Sequence, residues 1–120
     1  MLAEHHKEIP VKVTAWVDEG IAPLVGALNE IPGVLTIDSC QGRRGEPANV
    51  YFRFNGPPSA TLKGVHSIAR ALGRSVECEW SIDIRYWGSS DPIACIKTAP
   101  EDVQCLAAAI RSRTHVARVA

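Results

Sequence analysis

Val11, Val13, Ala15 and Val17 alternate with Lys12, Thr14, Trp16 and Asp18, a period of two that predicts a half-buried strand. Ile21, Leu24, Val25, Leu28 and Ile31 then follow helical spacing. A start near Gly20 tolerates Pro23, because first-turn N–H groups have no intrahelical partner, and Pro32-Gly33 ends the helix. Val34 to Ile37 reads as a second strand, and Val50, Phe52 and Phe54 alternate with Tyr51 and Arg53 in a third. Asn55-Gly56-Pro57-Pro58 closes it. Ser59 is the expected N-cap of a helix with the face Leu62, Val65, Ala69 and Leu72, ending at Gly73.

Val76, Cys78, Trp80, Ile82, Ile84 and Tyr86 point one way along a fourth strand, and Glu77, Glu79, Ser81, Asp83 and Arg85 the other. Gly88 to Asp91 turns the chain into a fifth strand near Pro92 to Lys97. Thr98-Ala99-Pro100-Glu101 matches a capping box before a last helix, whose stripe is Val103, Leu106, Ala107 and Ile110. Arg111 and Arg113 favour the C-terminal dipole of that helix.

The order βαββαββα with half-polar strands predicts an α/β (α+β) two-layer sandwich: a mixed sheet, one face open, helices on the other. The first βαβ unit is expected to cross over right-handed. Residues 1–10 read as a flexible arm and 11–120 as one domain, with no internal repeat.

Composition narrows the classes. Hydrophobic residues at 46% and charged residues at 22% are ordinary globular values, and 120 residues suffice for one core. Thirteen Lys and Arg balance thirteen Asp and Glu, which removes the global basic footprint of most nucleic-acid binders. Apolar runs are too short for a membrane span, and the first eight residues lack the apolar stretch of a secretory signal. Cys40, Cys78, Cys95 and Cys105 are widely spaced, so reduced thiols and a cytoplasmic setting are expected.

The richest chemistry lies in Thr36-Ile37-Asp38-Ser39-Cys40-Gln41-Gly42-Arg43-Arg44-Gly45, at the exit of the second strand. Gly42 and Gly45 allow positive φ, successive N–H groups can form a concave anion site, and Arg43 and Arg44 add bidentate donors. Thr36, Ser39, Cys40, Gln41, Gly42, Arg43 and Arg44 are therefore the expected ligand-binding set for a small anionic or nucleotide ligand. The bland alternative is a polar connection between strands.

Cys40 among arginines is a candidate nucleophile and Asp38 a candidate acid or base, set against an inert thiol at a strand end. Cys78, Cys95 and Cys105 read as small core residues. His5, His6, His66, His115 and the cysteines lack the short paired spacing of a zinc site, so no metal is expected. Trp16, Tyr51, Trp80, Tyr86 and Trp87 are expected on strands. Trp16 and Trp87 fall on polar faces beside Arg53 and Arg85, where they stack a base of RNA or cover a dimer interface.

Asp18, Leu24-Val25, Leu28-Asn29 and the run Thr36-x-x-Ser39-Cys40-x-Gly42-Arg43 together resemble the signature of the wybutosine-synthesis tRNA methyltransferase family. Val50 to Phe54 looks like that family's middle strand, and Ile84-Arg85 with Pro92-Ile93 like its late hairpin. The chain is also similar to short bacterial and phage proteins that share a Gly20-Ile21-Ala22-Pro23-Leu24 helix and a Ser39-Cys40-Gln41-Gly42 loop. The resemblance implies that family's α/β fold, with Ser39, Cys40, Gly42 and Arg43 lining an S-adenosylmethionine or tRNA pocket. Asp38 and Gln41 replace serines of the family pattern, and its Ser-His-Asp segment is missing between the loop and the next strand.

The leading expectation is a small-ligand or nucleotide-binding domain, extending to an S-adenosylmethionine-dependent enzyme acting on RNA. The alternative is a non-catalytic module that forms a homo-oligomer through its open sheet face.

Overall fold

A computed structural model describes residues 17–42, 45–73, 77–88 and 91–119, with side chains followed to Thr114. The element order is α1 (Ala22–Asn29), β1 (Val34–Cys40), β2 (Ala48–Phe54), α2 (Pro58–Leu72), β3 (Trp80–Arg85), β4 (Ile93–Thr98), a 3-10 turn (Pro100–Asp102) and α3 (Val103–Val119). Among the described residues the sheet has four strands in the order β1-β2-β4-β3. Every neighbouring pair is antiparallel.

Among the described residues the sheet is therefore wholly antiparallel. The parallel pair rested on the strand expected over residues 11–17. Residues 1–16, including the expected arm, lie outside the described residues, and Val17 is exposed and belongs to no strand.

β2 and β3 are both antiparallel to β4, so they run the same way with β4 between them. Same-direction strands need a crossover rather than a tight turn, and α2 supplies it. The chain thus contains two hairpin-plus-helix units, β1-β2-α2 and β3-β4-α3, which meet along β2 and β4. This architectural duplication has no counterpart in the residue pattern.

Strand alternation decides which face packs. Ala48, Val50 and Phe52 on β2 and Ala94 and Ile96 on β4 join one buried cluster with Leu24, Leu28, Ile68, Leu72, Leu106 and Ile110 from the helices. Trp80, Ile82 and Ile84 of β3 pack against it from the edge. The intervening strand residues are left on the opposite face, which no helix among the described residues covers. Burying a large aliphatic or aromatic side chain contributes roughly 1.5–3 kcal/mol, so this cluster, rather than helix propensity, holds the eight-residue α1 in place.

The helix termini depart from the sequence expectation. Pro57, not Ser59, is the N-cap of α2, and Ser59 sits in its first turn. Thr61 instead ties that turn to the sheet, its buried hydroxyl accepting the Phe54 N–H at 3.0 Å. Thr98 does not form the expected capping box. It ends β4, is buried, and donates to the Glu79 carbonyl at 2.6 Å, while Ala99 caps the 3-10 turn without a side-chain bond. A buried hydroxyl near a free carbonyl is satisfied locally, which outweighs a solvent-exposed cap.

Candidate functional site

The expected ligand-binding set is divided between surfaces. β1 carries a bulge between Thr36 and Asp38, at which Ile37 is the extra residue. Thr36 stands opposite Phe52 and Ser39 opposite Val50, which puts both on the helix-covered side. Asp38 pairs with Tyr51 and Cys40 with Asn49 on the open side. Gln41 turns away to accept the Gly20 N–H at 2.8 Å. Gly42, at φ +84°, lies where a Cβ would meet the Glu46 carbonyl oxygen at 2.8 Å and Pro100 at 3.0 Å, so both its conformation and its packing require glycine. Arg43 and Arg44 lie outside the described residues. A shallow groove beside the loop is lined by Gly42, Glu46, Glu79, Lys97, Pro100 and Glu101, and contains neither Thr36, Ser39 nor Cys40.

The open sheet face gathers another group. In register, Asp38, Tyr51, Cys95 and Asp83 form one row across all four strands. Cys40, Asn49, Lys97 and Ser81 form the next. Leu35 pairs with Arg53 and Ile93 with Arg85 beyond them. Side chains of directly opposed residues share a face, so the sequence alternation on each strand converges on this surface.

Tyr51 is its centre. Trp87, just past β3, rests against it with ring centroids 4.9 Å apart and planes at 60°. The Arg85 guanidinium carbon is 5.5 Å from the Tyr51 centroid, and its Nη1 donates to the Tyr51 hydroxyl at 3.1 Å. Arg85 Nε donates to Asp83 Oδ1 at 3.1 Å, which orients the guanidinium and raises its pKa. Tyr51 is half-buried, and burial pushes its phenol above the ordinary 10.0, with Cys95 adding and Arg85 opposing. Trp87 remains 53% exposed and Tyr86 beside it 55%. Tyr86 and Trp87 follow β3 rather than lying in a strand, whereas Tyr51 lies in β2 and Trp80 in β3, as expected. Trp16 lies outside the described residues.

The cysteines separate into unlike environments. Cys78 belongs to the core cluster, as expected. Cys95 is fully buried yet lies on the open face, outside that cluster, and burial raises its thiol pKa. Cys105 is exposed on α3, which corrects its assignment to the core: Leu106 and Ala107 point inward and Cys105 does not. Cys40 is exposed at the end of β1. Asp38 accepts the neighbouring Ser39 N–H at 2.8 Å. His66 is exposed on α2. Among the described residues no group of three His, Cys, Asp or Glu could hold a metal ion, and no helix is long and apolar enough to cross a membrane.

Sequence reasoning missed the grouping of Tyr51, Cys95, Asp83 and Arg85, although Asp83 and Arg85 alternate on a visible polar face. The missing information was strand order. β4 lies between β2 and β3, which brings Cys95 beneath residues from both neighbours. Compared with known proteins, the chain matches no family model, no curated protein and no solved structure.

Proposed function

We propose that this domain is a binding module whose open sheet face holds a nucleobase-bearing ligand, such as a nucleoside or nucleotide. The observation that carries the reading is the Tyr51–Trp87–Arg85 group. Trp87 offers an exposed ring held by Tyr51, and a stacked base gains about 1–3 kcal/mol from such a surface. Arg85, oriented by Asp83, and Lys97 and Arg53 on the same face supply donors for a phosphate or carboxylate. Asp38 supplies an acceptor for exocyclic amino groups. The S-adenosylmethionine expected from the family resemblance carries an adenine of this chemistry. Binding is favoured over covalent chemistry here because Cys95, the thiol nearest the aromatic group in register, is buried and its pKa raised.

The test is titration of the full chain with adenosine, AMP, UMP and S-adenosylmethionine, followed by tryptophan fluorescence and calorimetry. Saturable binding is expected, weakened about fivefold or more by Trp87→Ala. Arg85→Ala should cost AMP more than adenosine. Absence of saturable binding by all four compounds refutes the reading.

A second reading is self-association through the same face, supported by the exposure of Trp87 there and of Tyr86 beside it in the chain. Sedimentation separates the two: a wild-type dimer made monomeric by Trp87→Ser supports the second reading, and a monomer at high concentration rejects it.

A further inference from the structure

The helix layer, on the other side of the sheet, encloses a cavity of about 300 Å³ between α1, α2 and α3. Its walls are apolar: Ala27 and Ile31 from the α1 end, Phe54 from β2, and Ile68 and Ala71 from α2. The space exists because small residues stand where larger ones would close it. Gly64 is needed for the Phe54 ring to lie where it does, since a Cβ at that position would collide with the ring. Ile31 and Phe54 are packed against the core but remain partly exposed, so the cavity opens to solvent.

Among the described residues that line the cavity, Arg111 supplies a cation. Arg111 Nε donates to Glu30 Oε2 at 3.0 Å, which fixes the guanidinium and neutralises that carboxylate. Its Nη2 lies against α1 at Gly26, where a Cβ would come within 3.1 Å. Neither Nη group has a hydrogen-bond partner among the described residues. The Thr114 hydroxyl, also lining the cavity, already donates to the Ile110 carbonyl.

We infer that this cavity binds a small apolar carboxylate, with the aliphatic or aromatic part inside and the carboxylate on the Nη groups of Arg111. The volume lies at the lower end of the ~300–1,000 Å³ range of small-molecule pockets, which favours compact compounds of benzoate or hexanoate size. Apart from Glu30 and Arg111, the described lining offers the Ser67 and Thr114 hydroxyls, too few to satisfy a sugar, and buried unpaired polar groups are costly. An organic anion is favoured over a cation because the outward donors belong to a guanidinium whose Nε edge is already taken.

The experiment follows Ile31 and Ile68 methyl signals by NMR while the full chain is titrated with benzoate or hexanoate, and separately with benzyl alcohol or hexanol. Saturable shifts at both methyls are expected with the carboxylates, and weaker binding with the alcohols. Arg111→Gln should weaken the carboxylates about tenfold or more and leave the alcohols unchanged. Ala71→Phe should abolish both by filling the space. If that variant does not fold, Ser67→Phe at the exposed rim serves the same purpose. Trp87→Ala should have no effect, which keeps this site separate from the sheet face. Unmoved methyls at millimolar ligand, equal affinity for acid and alcohol, or indifference to Arg111→Gln each overturn the inference.

Discussion

Gln41 accepts the Gly20 N–H through its Oε1 at 2.8 Å, joining the end of β1 to the chain just before α1. No Cβ fits at Gly20 without displacing that amide, since it would stand 2.6 Å from Oε1. The polar loop after β1 thus spends its amide on holding α1. Gln41→Ala is expected to destabilise the fold by about 1 kcal/mol, read as a lower urea midpoint with unchanged slope. Nucleotide binding at the sheet face should be unaffected. A variant as stable as wild type shows that the bond contributes nothing in solution.

Phe54 and Gly64 make a second contact with a clear consequence. The Phe54 ring occupies the space a side chain at residue 64 would need, and it packs edge-on to Phe52 at 6.3 Å between centroids. Gly64→Ala normally favours a helix by up to about 1 kcal/mol. Here overpacking, roughly 1–3 kcal/mol, opposes and exceeds that gain. Thermal unfolding should therefore show a lower Tm; a raised Tm means that the ring moves aside freely.

The Cys78 thiol is pushed from 9.0 up to about 11, first by burial and then by its hydrogen bond to Cys105. Its folded pKa exceeds its unfolded one, so the associated stability is complete below 9.0 and is lost as pH rises through about 11. Tyr51 shifts in the same direction from 10.0, so its loss overlaps. Unfolding curves across this window should decline less steeply for Cys78→Ala than for wild type. Parallel declines place the effect elsewhere.

Thiol labelling distinguishes the four cysteines by access. Cys40 and Cys105 are exposed, whereas Cys78 and Cys95 are buried with raised thiol pKa values. Alkylation near neutral pH should modify the first two and spare the others, resolved by peptide mass mapping. Early modification of Cys95 would mean that Tyr51 and Arg85 open readily, and would bring that thiol back into a chemical account of the sheet face.

Arg111 and Arg113 show how far residue pattern reaches. Their place near the end of the last helical stripe suggested a role in that helix's own dipole. α3 instead continues to Val119, and the two arginines serve neighbouring helices: Arg111 pairs with Glu30, and Arg113 Nη1 donates to the Leu72 carbonyl at the end of α2 at 3.0 Å. An exposed helical position reveals that it is polar, but not which helix will lie beside it.

What the sequence by itself determined was local. The period-two pattern of Val50, Phe52 and Phe54, and of Trp80, Ile82 and Ile84, assigned the inward faces of β2 and β3. The spacing of Leu24 and Leu28, and of Leu106 and Ile110, did the same for α1 and α3. These patterns are legible because burial of alternate or every third-to-fourth residue is the term that orders each segment. Only the tertiary structure decided the β1-β2-β4-β3 order, the bulge that divides Thr36 and Ser39 from Asp38 and Cys40, and the row joining Tyr51, Cys95 and Asp83. The reason is that a strand's outward residues carry no record of which strand will pair beside it. A one-residue bulge reverses the face of everything after it without altering composition.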